Sequence, residues 1–185
     1  RAEVADGDLY GMKFQHATGL ISHRPGLLQI QPLHFQVDDG ACTAQVLLDS
    51  RDSTPSLLRI SGHAENIAAD QIYNELLNQN SIVRGSLSGD FYLQGHPGHD
   101  FLPSSYGSFD LMIRDGTLRR FHVLSKIFSL LNVAQLFSLQ LPDMDAEGMP
   151  FNEIAGNLLI DKGILSTERL LVKSEAMNLS YIGKI

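Results

Sequence analysis

The sequence predicts an α+β fold dominated by β-structure: a curved antiparallel meander sheet, with two helices packed on its apolar face or at its end. Three observations lead there. Apolar and polar residues alternate with period two over long stretches. Strand-like segments close on a polar pair followed by glycine. Two other segments switch to the three-and-four spacing of a helix.

In chain order, the first clear alternation is Leu33, Phe35, Val37, continued after a turn by Cys42, Ala44, Val46, Leu48. Pro32 stands where the apolar phase flips between Leu28/Ile30 and Leu33/Phe35, which predicts a bulge or strand break, because proline cannot donate to a ladder. A helix is predicted over 68–78, with Ala69, Ile72, Tyr73, Leu76 and Leu77 on one face and Asp70, Gln71, Asn74, Glu75 and Asn78 on the other; Asn66 lies nearby as a cap. The longest alternation follows: Val83, Gly85, Leu87, Gly89, Phe91 and Leu93 against Arg84, Ser86, Ser88, Asp90, Tyr92 and Gln94. Its two inward glycines mark a bend or a close approach of other backbone. Residues 96–106, with two prolines and a glycine, read as a loop. Phe109, Leu111 and Ile113 alternate again.

A second helix is predicted over 123–139. Val123, Ile127, Leu130, Ala134, Phe137 and Leu141 form a seam that Leu124, Phe128 and Leu131 widen beyond half the circumference, and Lys126 is its only charge. Ile127, Leu130, Ala134 and Phe137 are expected to pack on the sheet, leaving Leu124, Phe128 and Leu131 at the mouth of a groove or facing a membrane, or covered only by the 140–150 loop; the equal alternative is a fully buried core helix. After a loop at 140–150, Ile154, Gly156, Leu158 and Ile160 alternate. The segments FQVDDG (35–40), LMIRDG (111–116) and LLIDKG (158–163) share one ending, and each predicts a hairpin turn at its glycine.

Composition excludes several function classes. With 185 residues, 43% apolar and 19% charged, the chain suits a single domain spanning 1–185 that buries a real core. A net charge of −7 argues against a nucleic-acid surface; the nearest basic cluster, Arg114, Arg119, Arg120 and His122, is interleaved with Asp110 and Asp115. The lone Cys42 permits no internal disulfide and sits at an apolar strand position. The most apolar stretch, 127–141, is too short and too polar to span a membrane. The chain opens at Arg1 without methionine and stops inside an alternating pattern, so it reads as a piece of a longer polypeptide.

No catalytic motif emerges. His96 and His99, with Asp100 adjacent, have Pro97 and Gly98 between them in a loop, and no HExxH or CxxC accompanies them; no metal or other cofactor is expected. His16 and His34 lie in strand-like segments as surface or hydrogen-bonded side chains. There is no GxSxG elbow, and the glycines at 85, 89 and 95 lie in a strand rather than at a helix start. Asp38, Asp39, Asp143, Asp145 and Glu147 are turn or loop carboxylates. The chain is read as a non-enzyme.

From Ser61 to Gly183 the sequence resembles the C-terminal region of the AsmA family (AsmA/TamB/YhdP-like). The resemblance rests on ISGHAENIAADQIYNELL (60–77), VRGSLSGDFYLQG (83–95), YGSFDLMIRDGTLRRFHVLSKIFSLLNVAQL (106–136) and MPFNEIAGNLLIDKGILSTERLLVKSEAMNLSYIGKI (149–185), in that order and spacing. It implies the periplasmic region of an inner-membrane-anchored bacterial envelope protein, with the anchor outside this segment and a β-groove moving phospholipid between inner and outer membrane in support of outer-membrane integrity. No catalytic residues come with it. The implied lipid-binding groove residues are Leu87, Phe91, Leu93, Phe109, Leu111, Ile113, Leu158 and Ile160, and Leu124, Phe128 and Leu131 are the membrane-facing helix candidates. Expected partners are phospholipid or another acyl-chain lipid, the remainder of the same polypeptide and an envelope protein. The alternatives are an envelope assembly scaffold, distinguished by a partner strand at the sheet edge, and an unrelated enzyme or small-ligand protein, distinguished by a closed polar pocket.

Overall fold

The structure is a computed structural model that describes residues 1–9, 12–51, 55–71, 83–98, 101, 103–118, 148–175 and 178–184. Among these residues ten strands form one open antiparallel sheet in the order of the chain: β1 (Ala2–Leu9), β2 (Met12–Arg24), β3 (Leu27–Val37), β4 (Gly40–Asp49), β5 (Leu57–Ala68), β6 (Val83–Gly95), β7 (Tyr106–Leu118), β8 (Met149–Asp161), β9 (Ile164–Lys173) and β10 (Asn178–Lys184). The β-dominated meander expected from the alternation is therefore present.

Among the described residues the two expected helices are not seen. The alternation of β5 runs on as strand to Ala68, and only 69–71 are helical among the described residues. The rest of 68–78, and all of 123–139 with Leu124, Phe128 and Leu131, lie outside the described residues. The end of β5 carries its own irregularity. The register of β5 shifts between Ala64 and Ile67, with Asn66 at φ 55°, so apolar residues there step by three. A bulge inserts one residue into the period of two and so imitates helical spacing.

The same effect corrects a turn. Gly116 is not in a hairpin: β7 continues through it to Leu118, and the positive φ belongs to its neighbour Asp115, at 50°. Glycine is needed there for space, since a Cβ would meet the Arg84 carbonyl and the Phe151 ring. At 38–40 the hairpin exists, but Asp38 carries the positive φ and Gly40 opens β4. Lys162 and Gly163 form the turn that matches expectation, with φ 52° and 77° on two successive residues, as a tight hairpin requires. Gly163→Val is expected to cost more than about 1 kcal/mol, read as a lower urea midpoint, because a β-branched side chain is strained at that φ. An unchanged midpoint would contradict it.

Pro32 sits at a register shift between Ile30 and Leu33, as its phase flip predicts. Similar shifts interrupt β1–β10 in five further strand pairings. Each bends its strand and increases local twist.

The strands end on two long sides. One side carries the connections 25–26, 50–56, 96–105 and 162–163. The other carries 38–39, 69–82, 119–148 and 174–177. Buried side chains collect toward the second side: Val37, Cys42, Ile67, Leu118, Met149, Phe151, Ile154 and Val172. They form two clusters, one on β3–β5 and one on β7–β9 with Ala69, and Leu87 of β6 packs against both.

Candidate apolar binding face

Residues opposite one another in a sheet point to the same side, so the register assigns the faces. One level crosses the sheet as Leu33, Ala44, Gly62, Phe91, Phe109 and Leu158. A second runs Ile30, Val46, Ile60, Leu93, Gly107, Ile160 and Leu165. Nearer the buried side stand Leu87, Ile113, Ile154 and Val172, and between these levels lie Ala64, Gly89, Leu111, Gly156 and Leu170. Neither of the first two levels contains a charged or hydrogen-bonding side chain.

All eight sequence-derived candidates, Leu87, Phe91, Leu93, Phe109, Leu111, Ile113, Leu158 and Ile160, fall on this single face. Ile113 is buried and the other seven are half-buried. Val46 and Leu48 continue the alternation read on 42–48, whereas β5 carries no such reading although Leu58, Ile60, Gly62 and Ala64 alternate with Arg59, Ser61 and His63. The register shifts of β2 scatter its alternation, and β1 carries Glu3, Asp6 and Asp8 among its few apolar residues.

Glycine sets how closely this face packs. Several large side chains lie where the Cβ of a facing glycine would be: Phe91 over Gly62, Leu93 over Gly107, Leu170 over Gly156 and Phe151 over Gly116, with Cβ-to-carbon separations of 2.5 to 3.0 Å. Laying a ring or isobutyl group flat on a neighbouring backbone keeps the face low.

The opposite face is mostly polar. Its central row reads Thr18, His34, Thr43, His63, Asp90, Asp110, Asn157 and Arg169. His63 Nδ1–H donates to Asp90 at 2.8 Å, the Asn157 amide donates to Asp110 at 2.7 Å, and His34 shares a hydrogen bond of 3.0 Å with Thr43. These bonds hold apart Asp90 and Asp110, which stand directly opposite each other. Lys173 donates to Glu153 at 2.7 Å, and this bond, with Arg114 nearby, holds the Glu153 carboxyl below its ordinary range. Exposed Leu20, Tyr92, Tyr106 and Leu159 also stand on this side. A shallow depression of about 290 Å³ on the same side is lined by Arg1, Thr18, Gly19, Leu20, Pro32 and His34.

Chemistry-bearing groups do not converge. Among the described residues no cluster of His, Cys, Asp or Glu is arranged to hold a metal ion. His96 uses Nδ1–H to donate to the Ser56 carbonyl at 3.0 Å; His99 and Asp100 lie outside the described residues. Arg119, Arg120 and His122 lie outside them too. Cys42 is buried at the β3–β4–β5 cluster, and desolvation pushes its thiol up from 9.0 to about 11. It is therefore expected to resist iodoacetamide at pH 8 in the folded protein and to react once urea unfolds it, as mass spectrometry would show. Rapid labelling of the native protein would place Cys42 at the surface instead.

Comparison with protein-family models, with curated proteins and with solved structures gives no match for this chain. Among the described residues no helix is long and apolar enough to cross a membrane.

Proposed function

We propose that this chain carries phospholipid acyl chains along its apolar β-face, as the periplasmic part of an AsmA-like, inner-membrane-anchored envelope protein. One observation carries the reading: a single face, lined only by apolar side chains and glycine at its central levels, continues from β3 to β9 with most of its side chains half-buried. A sheet face of this kind needs an apolar partner.

The dimensions suit a lipid. From β3 to β9 there are six interstrand steps of about 4.8 Å, giving a face about 29 Å long, comparable with a bilayer hydrocarbon core of about 30 Å. Removing ten methylenes of an acyl chain from water is worth about 8 kcal/mol, at about 0.8 kcal/mol each. Such a gain needs no charged head-group contact, which is consistent with a chain of net charge −7.

Organic extracts of the protein purified from cells should contain phospholipid by mass spectrometry. Phe91→Asp, placing a carboxylate at the middle of the face, should reduce the bound lipid at least about tenfold, since an unpaired charge against an acyl chain costs more than about 1.4 kcal/mol. Lipid-free wild-type protein that also takes up none from phospholipid vesicles would remove the reading. A scaffold role has its own support: among the described residues β1 and β10 each pair on one side only, leaving rows of backbone groups to which a partner strand could add. Recovery of a protein partner paired along β10, with no lipid, would favour it.

A further inference from the structure

The connection between β6 and β7 does more than reverse the chain. Gly95 ends β6, two residues beyond Leu93 on the apolar face and opposite Leu58 of β5. Gly95 is buried, and the group that covers it is Phe101: a Cβ on Gly95 would meet the Phe101 carbonyl at 3.0 Å and its ring carbons at 3.1 and 3.2 Å. Because alternation aims that Cβ toward the apolar side, the Phe101 ring lies on the apolar face, at its rim and near the middle of the sheet.

Local bonds hold the ring there. The Phe101 amide donates to the Gly98 carbonyl at 3.2 Å. The Ser104 hydroxyl donates to the Phe101 carbonyl at 3.1 Å and accepts from the His96 amide at 2.8 Å. Ser105 is fully buried, and His96 ties the connection to Ser56, before β5. Tight turns of two residues serve at 25–26 and 162–163 on the same long side, so reversing the chain does not itself require this connection. Phe101 is half-buried, which leaves part of its ring in reach of whatever occupies the face.

We propose that Phe101 is a retaining side wall of the lipid-carrying face: its ring keeps an acyl chain lying over Leu58 and Leu93 from slipping off the rim at mid-length. This deepens the proposed function and rests on it. Toward the opposite long side the open part of the face gives way to the buried row from Val37 to Met149. Phe101 supplies a counterpart where the first side would otherwise end at the backbone of a glycine.

The probe is cis-parinaric acid, a fluorescent fatty acid, loaded on the whole chain and displaced by excess unlabelled fatty acid. Phe101→Ala should release it roughly tenfold faster than wild type, the equivalent of about 1.4 kcal/mol of lost contact. Phe101→Leu, still apolar and of similar reach, should stay within about twofold. Ser104→Ala, which keeps the ring but cuts its tether, should fall between them. Urea midpoints of the three variants separate loss of retention from loss of fold. A stably folded Phe101→Ala with wild-type release overturns the wall while leaving lipid carriage intact, and so does faster release that Phe101→Leu fails to restore. If Phe101→Ala does not fold, Ser104→Ala decides: wild-type release from it overturns the wall. No binding of the probe by wild type overturns both readings.

Discussion

Gly89→Val is expected to be among the most damaging single substitutions in the sheet, costing at least about 3 kcal/mol or preventing folding. Gly89 lies mid-strand in β6, opposite Ala64 on one side and Leu111 on the other. A Cβ there would run into the Asp110 carbonyl, with the Leu111 Cα at 3.0 Å. Backbone on the flanking strand cannot yield without breaking the ladder that holds β6 to β7, so the clash has no cheap relief. Urea denaturation followed by circular dichroism measures the cost. A midpoint equal to wild type would mean that the strands do not approach this closely.

Phe151→Ala is expected to cost about 3–5 kcal/mol, the range for deleting a buried aromatic ring. Phe151 is 3% exposed and packs with Leu118, Met149, Ile154 and Val172 in the larger cluster. Its ring end lies 2.5 Å from where a Gly116 Cβ would be, so neither partner has a substitute for the other. Domains of this size are stable by only about 5–15 kcal/mol, and the variant would lose a large part of that margin. The loss should appear as a lower denaturation midpoint with an unchanged slope, and a cost below about 1 kcal/mol would show that the cavity closes or that the ring is not core.

The face was legible in the sequence because burial on one side of a strand imposes a period of two, and Leu87, Phe91, Phe109, Leu111, Leu158 and Ile160 each kept it. The meander was legible wherever a hairpin is short, as at 38–39 and 162–163. The bulges were not. Inserting Asn66 or Asp115 changes the apolar spacing from two to three, and nothing in the local residues says whether three means a helix, a turn or one extra residue in a strand. The Asp115–Gly116 pair has the composition of a turn, yet its glycine answers to Phe151, some 35 residues away in sequence. A demand made by a neighbouring strand leaves no local signature, which is also why Phe101, in a segment that reads only as loop, gave no sign of its place on Gly95.

In the meander every strand pairs with its immediate neighbours in sequence, with the β5–β6 and β7–β8 pairs closing over the longer connections 69–82 and 119–148. Assembly of this kind proceeds by zippering: a pair of adjacent strands forms a nucleus, and each further strand adds to the growing edge. Stability is then close to a sum of nearest-neighbour terms, and cooperativity between distant strands must pass through shared side-chain packing. Among the described residues that packing is divided between two clusters, and Leu87 packs against both. Leu87 is thereby a link through which folding of β3–β5 is coupled to folding of β7–β9, and a smaller side chain at that position would let the two halves of the sheet melt more independently.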